Sequence, residues 1–182
     1  MTTPAVSFSH LGINVTDLAR MEDFYSRVLG LLVADRGTIP GGTMLVFLSR
    51  DPDEHHQIVL AAGRPPGVTY NVVNQISFKL PTLADLQEMH ARVRREGIKE
   101  FRMVTHGNAW SIYFPDPEGN RVELFVDTPW HTPQPFVEPF DVEAPVDTIL
   151  ALTEALCRSR PGFMSRAEWR KAQVEKIATA SA

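Results

Sequence analysis

The stretch 'SHLGINVTDLA', residues 9–19, has a counterpart 65 positions later in 'NQISFKLPTLA', residues 74–84. Each stretch begins with alternating apolar and polar residues, and a polar residue that suits a helix N-cap, Asp17 or Thr82, stands two positions before its end. Each therefore predicts a strand followed by a helix. At the same spacing 'LSRDPDEHHQIVL' lies over 'YFPDPEGNRVELF', and the two Asp-Pro turns coincide. A repeat of this kind indicates that one supersecondary unit is used twice.

The repeat predicts an α+β fold of two paired β-α-β-β-β modules, at about residues 6–63 and 71–127. In the second module Thr82 and Asp85 resemble a capping box at the start of the helix. A single module leaves one face of its sheet open. We therefore expect the two modules, related by a pseudo-twofold axis, to form a shared open-barrel cleft.

The remaining sequence is expected to extend the same domain rather than to form a second one. Residues 1–127 would contain the paired modules, and residues 128–182 a proline-rich connection and a C-terminal helical extension. Helices are predicted at about residues 146–159 and 165–179, where apolar residues recur with helical spacing.

The composition is that of a soluble globular protein. The net charge of -4, without a long basic run, argues against a nucleic-acid partner. No apolar stretch reaches the roughly 18 residues of a membrane span, and the N-terminus lacks the shape of a signal peptide. The single Cys157 cannot form an internal disulfide, so a cytoplasmic location is expected.

The second Asp-Pro turn predicts a hairpin whose loop runs from Asp116 to Asn120. In that register Tyr113 lies opposite Glu123, and directly opposed residues share a face of the sheet. Such a pair is either an exposed surface pair or one wall of a site, and the hairpin alone leaves both readings open.

Positions that are equivalent under the repeat are the places to expect a site between modules. His10 corresponds to Gln75, and Ile58 corresponds to Glu123. The side chains of His10, Gln75 and Glu123 can donate to a divalent metal, whereas Ile58 cannot. By strand alternation His56 is expected on the face of Ile58.

Each of these candidate site residues also has a purely structural interpretation. His10 could be a structural strand histidine, Gln75 a satisfied polar residue, and Tyr113 a core aromatic residue. His55 and His56 could form a solvated hairpin edge, and His106 could lie in a polar loop. His90 and His131 are expected to be exposed, and Phe47 and Trp110 to line the core or a pocket.

At these residues the chain resembles the vicinal oxygen chelate superfamily, which includes glyoxalases, fosfomycin-resistance proteins and type I extradiol dioxygenases. 'HLGINVTDLARMEDFYSRVLGL' resembles the opening strand and helix of the family, and 'YFPDPEGNRVEL' its closing hairpin. The pair 'HH' before 'QIVLAAG', and the tail 'VDTPWHTPQP', are similar to those of single-domain enzymes related to biphenyl-2,3-diol dioxygenases.

The resemblance implies a role for each candidate residue. His10 and Glu123 match two of the three iron ligands of extradiol dioxygenases, and Gln75 stands where the third, normally histidine, is found. His56 matches the residue that assists proton transfer and oxygen activation. The residues that hydrogen-bond the bound catecholate are matched by His106 and Tyr113.

Gln75 is the departure from the family pattern. An amide oxygen is a weaker and harder donor than imidazole, so metal affinity should fall and selectivity should shift towards oxygen-preferring ions such as Mn(II). Glyoxalases commonly have a further ligand near the position of Ile58, and its apolar side chain argues against that branch.

The leading hypothesis is a metal-dependent extradiol-type dioxygenase that acts on a catechol, with Fe(II) as the expected metal and Mn(II) as the alternative. Its small-molecule partners would be an aromatic substrate and dioxygen. The apolar faces of the C-terminal helices predict that the chain also forms a homodimer or other homo-oligomer. The alternatives are a non-redox isomerase, epimerase or lyase of the same superfamily, and a protein that sequesters an aromatic ligand.

Overall fold

The computed structural model describes residue 4, residues 6–68 and residues 70–180. The chain divides into two compact units. Within the described residues, the N-terminal unit comprises residues 6–68 and 70–75 with Pro115–Arg121, and the C-terminal unit comprises Ile76–Phe114 with residues 122–180, together with Pro4. Each unit contains a sheet that includes the strands of one copy of the sequence repeat, and both units contain helices, which confirms the predicted α+β class.

The sheet of the N-terminal unit has the strand order β1-β4-β3-β2. Strand β1 runs parallel to β4, and the other neighbours are antiparallel. The elements follow each other as β-α-β-β-β: β1 Leu11–Val15, α1 Leu18–Asp23 continued by a π-helical turn at Phe24–Val28, β2 Leu32–Thr38, β3 Met44–Ser49 and β4 Ile58–Ala62.

Helix α1 begins at a capping aspartate and ends in the π-helical turn. The Asp17 carboxylate accepts a hydrogen bond from the Arg20 amide at 3.0 Å, which satisfies one of the free N–H groups of the first turn. The wider π turn lets consecutive residues face the core, and Phe24 and Tyr25 are both buried together with Met21.

The sheet of the C-terminal unit has the order β10-β6-β7-β8-β5. Its parallel pair is β5 and β8, which repeats the pairing of β1 with β4. The elements are β5 Ile76–Lys79, α2 Leu83–Arg95, β6 Arg102–Thr105, β7 Ala109–Pro115, β8 Arg121–Asp127, β9 Trp130–His131, β10 Glu138–Pro139, α3 Val146–Arg158, β11 Met164–Ser165 and α4 Arg166–Ala180.

The C-terminal helices confirm the predicted positions to within about a residue at each end. Helix α3 buries Ile149, Thr153 and Cys157, and the Thr153 hydroxyl accepts a hydrogen bond from the buried indole of Trp110 at 2.8 Å. The predicted core position of Trp110 is thereby confirmed. No helix in the described part of the chain has both the length and the apolar character that a membrane span requires.

Helix α2 has the predicted capping box and one unpredicted core residue. The Asp85 amide donates to the Thr82 hydroxyl at 3.1 Å, and the Thr82 amide donates to the Asp85 carboxylate at 3.0 Å. The expectation that His90 is exposed is wrong, because its side chain is 5% exposed and packs edge-on against Phe101 at 4.8 Å. His90 continues the helical face of Leu83, Leu86 and Val93, so the apolar stripe includes it.

The tip of the hairpin between β7 and β8 is held within the N-terminal unit. The buried Asp116 carboxylate accepts from the amides of Glu118 and Asn120, both at 2.9 Å, and from the Tyr25 hydroxyl at 3.2 Å. Burial raises the pKa of Asp116, and the hydrogen bonds from Asn120 and Glu118 oppose that shift.

A second carboxylate fixes the same tip from the other side. The Glu118 side chain accepts from the amides of Thr16 and Asp17, each at 2.7 Å, just before helix α1 begins. It also lies 3.5 Å from the Arg64 guanidinium. The hairpin tip is therefore bound to both the start of α1 and the segment that follows β4.

We expect stability to fall in mild acid because His90 is buried. Burial lowers the pKa of His90, with the Glu143 carboxylate opposing the shift, so the folded state resists protonation. The stabilisation that comes from holding His90 neutral in the folded state is fully present above the unfolded pKa of about 6.5, and it declines as the pH falls below that value. The free energy of unfolding in urea should fall less between about pH 8 and about pH 5 for His90→Leu than for the wild type. Equal decreases would contradict the role of buried His90 in the acid sensitivity.

Candidate functional site

Strand pairing corrects one residue of the predicted site. Leu11 pairs with Ile58 in the first sheet, whereas Ile76, the counterpart of Leu11, pairs with Val122 in the second. The second module is thus one residue shorter between its paired strands, a difference that a constant shift of 65 positions conceals. Val59, not Ile58, is the counterpart of Glu123, and Ile58 is a buried core residue. Val59 is also apolar, so the first module still offers no ligand at this position.

In the N-terminal unit His10 and His56 lie side by side. Their ring centroids are 4.2 Å apart, and the ring of Phe47 lies 5.1 Å from His56. Phe47 pairs with Val59, so this cluster lies on the opposite face from Ile58. His56 precedes β4 rather than belonging to it, which is why strand alternation placed it on the wrong face.

A neighbouring histidine controls the orientation of His56. The Nδ1 atoms of His55 and His56 are 2.9 Å apart, so one ring must donate to the other. The Nε2 atom of His55 lies 3.5 Å from the Asp35 carboxylate. Burial, with smaller contributions from His10 and His55, lowers the pKa of His56, which favours the neutral, basic imidazole near pH 7.

Gln75 stands at the start of the second module as His10 stands at the start of the first. Gln75 directly precedes β5 and is half-buried, while His10 directly precedes β1 and is exposed. The Nδ1 atom of His10 lies 3.3 Å from the Ser9 hydroxyl. The Nε2 atom is on the side of the ring away from that hydroxyl.

In the C-terminal unit Glu123 is a buried carboxylate on strand β8. Its side chain is 6% exposed, and a buried carboxylate must be hydrogen-bonded or bound to a cation. Ser77 lies directly opposite on β5, and its hydroxyl donates to Glu123. Ser77 was not among the predicted residues, although it lies two positions after Gln75, where strand alternation places it on the same face.

Tyr113 on β7 also contacts Glu123, which confirms the register predicted for the hairpin. The Asp116 amide donates to the Asn120 carbonyl at 2.9 Å and closes the predicted loop. Burial, together with the hydrogen bond to Glu123 and the charge of that residue, raises the pKa of Tyr113 to about 12. The phenol therefore keeps its proton at neutral pH.

His106 completes a chain of hydrogen bonds with Tyr113 and Glu123. Its Nδ1 atom lies 2.8 Å from the Phe136 carbonyl, and its Nε2 atom lies 3.0 Å from the Tyr113 hydroxyl. A carbonyl can only accept, so the hydrogen is on Nδ1, and in the neutral ring Nε2 accepts from the phenol. The single phenol proton thus has two acceptors, the His106 imidazole and the Glu123 carboxylate.

The donor atoms of His10, Gln75 and Glu123 suit a divalent ion that prefers imidazole nitrogen and oxygen ligands. Among the residues that the structure describes, no group of at least three His, Cys, Asp or Glu side chains is placed to hold a metal. The predicted set has only two residues of those types, since its third donor is an amide. By chemistry alone these donor types suit a divalent ion, and an amide oxygen would be the weakest of them.

His131, also predicted to be exposed, is half-buried and stacks on Trp169 with ring centroids 5.3 Å apart. Burial lowers the pKa of His131. This contact joins β9 to α4, so we assign His131 a structural role.

The family model for the glyoxalase/bleomycin resistance protein/dioxygenase superfamily matches residues 7–124. The chain belongs to this superfamily. The match includes both modules with their hairpins and ends directly after Glu123 and Leu124 of β8. The resemblance inferred from the sequence is thereby confirmed.

Relatives of known sequence are named as dioxygenases. Biphenyl-2,3-diol 1,2-dioxygenase 3 of Rhodococcus globerulus is 32% identical over 124 residues, which are 65% of this chain and 62% of that protein. Biphenyl-2,3-diol 1,2-dioxygenase 2 of the same organism is 29% identical over 131 residues, or 69% and 65% of the two chains. The aligned region spans less than two thirds of either relative.

Solved structures share the fold at low identity. The glyoxylase/bleomycin resistance protein/dioxygenase domain from Frankia sp. EAN1pec has a TM-score of 0.58 at 20% identity, covering 69% of this chain and 100% of that one. A mutant of the fosfomycin resistance protein FosX from Listeria monocytogenes, complexed with Mn(II) and 1S,2S-dihydroxypropylphosphonic acid, has a TM-score of 0.55 at 19% identity, covering 69% and 95%.

Two serine–glutamate hydrogen bonds provide a matched test of the buried carboxylate. We expect Ser77→Ala to destabilise metal-free protein by about 1–3 kcal/mol, because the buried Glu123 loses a donor. Ser9→Ala removes the exposed bond to Glu54, 2.8 Å long, and should cost much less. Urea unfolding at neutral pH measures both values. Equal costs would show that Glu123 does not depend on Ser77.

Proposed function

We propose that the protein is a metal-dependent extradiol-type ring-cleavage dioxygenase that acts on a catechol or a related aromatic vicinal diol. The observation that carries the proposal is the chain of hydrogen bonds from Glu123 through Tyr113 to His106. Ring cleavage of a catechol requires that protons leave the diol oxygens. The hydrogen-bonded chain offers the Glu123 carboxylate as a hydrogen-bond acceptor, the Tyr113 phenol as a proton carrier and the His106 imidazole as a base. The names of the Rhodococcus relatives support the same substrate class.

His10, Gln75 and Glu123 would hold the metal, with Fe(II) as the proposed ion and Mn(II) as the alternative. When bound, the ion would bind both oxygens of the diol, lower their pKa and mediate electron transfer between the ring and dioxygen. With three protein ligands, the ion would still be able to take a substrate diol and dioxygen. The buried Glu123 supplies the only formal negative charge of this set.

The protein residues would supply orientation and proton transfer. A diol hydroxyl can donate to the Tyr113 oxygen while the phenol proton moves onto Nε2 of His106, so that a proton leaves the substrate without a free hydroxide. His106 then carries protons on both nitrogens, with Nδ1 still bound to the Phe136 carbonyl. His56, neutral near pH 7, would act as the acid–base group on the side of His10.

Gln75 favours a second candidate, a non-redox isomerase, epimerase or lyase of the same superfamily. An amide oxygen suits a hard, redox-inert ion better than Fe(II), and such an enzyme uses the ion only to stabilise negative charge on its substrate. Turnover without dioxygen would identify it. Sequestration of an aromatic ligand without turnover is a weaker alternative, since it has no need of the proton-handling chain. A homo-oligomer and a single domain formed by both modules remain predictions.

Loss of a ligand should abolish metal retention without unfolding the protein. We expect His10→Ala and Glu123→Ala to lose iron after gel filtration, because each removes one of three donors. Glu100→Ala changes an exposed carboxylate and is the matched control. Metal analysis with circular dichroism measures retention and folding together. Equal iron content in all variants would contradict the proposed set of metal ligands.

The function itself is tested by oxygen uptake. Anaerobically reconstituted Fe(II) protein should consume dioxygen with a panel of catechols that includes biphenyl-2,3-diol, and it should release a yellow ring-opened product. The activity should be absent in His10→Ala and reduced on the order of 100-fold in Tyr113→Phe, which lacks the proton carrier. If protein shown to contain iron consumes no dioxygen with any catechol, the dioxygenase proposal is wrong.

A further inference from the structure

The segment that follows β8, residues 128–136, encloses the turn that carries His106. The Gly107 carbonyl accepts from the Thr128 hydroxyl at 2.6 Å. Gly107 has a φ of +73°, and a Cβ at that position would collide with the Thr132 hydroxyl, so glycine is required for the close approach. This segment lies outside residues 7–124, so the family match does not account for it.

Three hydrogen bonds join His106, Gln134 and Phe136 in a closed ring. The Gln134 side-chain amide donates to the His106 carbonyl at 2.7 Å. The Phe136 amide donates to the Gln134 side-chain oxygen at 3.1 Å, and the His106 Nδ1–H donates to the Phe136 carbonyl at 2.8 Å. Gln134 is the side chain that fixes the Phe136 carbonyl relative to the His106 backbone.

We propose that Gln134 is a positioning residue that sets the tautomer of His106. A solvated neutral imidazole carries its hydrogen mainly on Nε2, whereas the Phe136 carbonyl holds it on Nδ1. Only the Nδ1–H form leaves Nε2 as an acceptor for the Tyr113 proton. With the hydrogen on Nε2, the ring would instead donate to the phenol and direct its proton towards Glu123.

The surroundings of Gln134 allow the role to be tested without unfolding the protein. Its side chain is exposed, whereas Phe136 and Thr132 are buried. Gln134→Leu therefore removes the hydrogen bonds of that side chain to His106 and Phe136, and a longer one to the Thr132 carbonyl at 3.3 Å, with little loss of packing. Gln87 provides the matched control, because its amide donates to the Val142 and Ala144 carbonyls, at 2.9 and 2.8 Å, elsewhere in the C-terminal extension.

The tautomer can be read directly by long-range proton–nitrogen correlation NMR of metal-free protein with isotope-labelled histidine, with His106→Asn to assign the signals. We expect the Nδ1–H form in wild type and in Gln87→Leu. In Gln134→Leu a substantial population should carry the hydrogen on Nε2. An unchanged Nδ1–H signal in Gln134→Leu would overturn the proposal.

The effect on turnover rests on the proposed function, but the tautomer does not. In an active enzyme Gln134→Leu should lower kcat on the order of tenfold with little change in KM, since it alters proton transfer and not substrate contacts. A shifted tautomer in a protein that consumes no dioxygen would support the positioning role and overturn the dioxygenase. Normal kcat together with a shifted tautomer would contradict the link between Gln134 and catalysis.

Discussion

The Asp116 carboxylate fixes the hairpin on which the candidate site depends. It accepts from the amides of Glu118 and Asn120 and from the side chain of Asn120, so the turn has one geometry and the strands on either side have one register. That register sets Tyr113 beside Glu123. A slip by one residue would send both side chains to the opposite face of the sheet. The buried hydroxyl of Tyr25 binds the same carboxylate, so the turn is also tied to helix α1.

The repeated module has acquired different chemistry in its two copies. In the first, Val59 stands where the second has Glu123, and the histidines His55 and His56 follow the Asp-Pro turn. In the second, the carboxylate, the phenol of Tyr113 and the imidazole of His106 form one hydrogen-bonded chain. The first copy thus carries imidazoles, whereas the second carries a buried carboxylate and a phenol beside an imidazole.

Local patterns predicted most of the fold and part of the site. Helix α2 and the hairpin that carries Tyr113 were predictable because capping and turn chemistry act over a few residues. The equivalence of Ile58 with Glu123 failed because one residue of length difference cannot be seen in an ungapped comparison. His90 was misplaced because histidine was counted as polar although its position continued the apolar stripe. The contacts of Gln134 with His106 join residues 28 apart in an irregular segment, where no periodic signal exists.

The most direct test of the account is the fate of isotopically labelled dioxygen during turnover of biphenyl-2,3-diol by the Fe(II) protein. A dioxygenase should form a ring-opened product that has gained oxygen from the labelled gas, as measured by mass spectrometry. A product that contains no labelled oxygen, or that forms equally well under argon, would contradict the dioxygenase and identify a non-redox reaction.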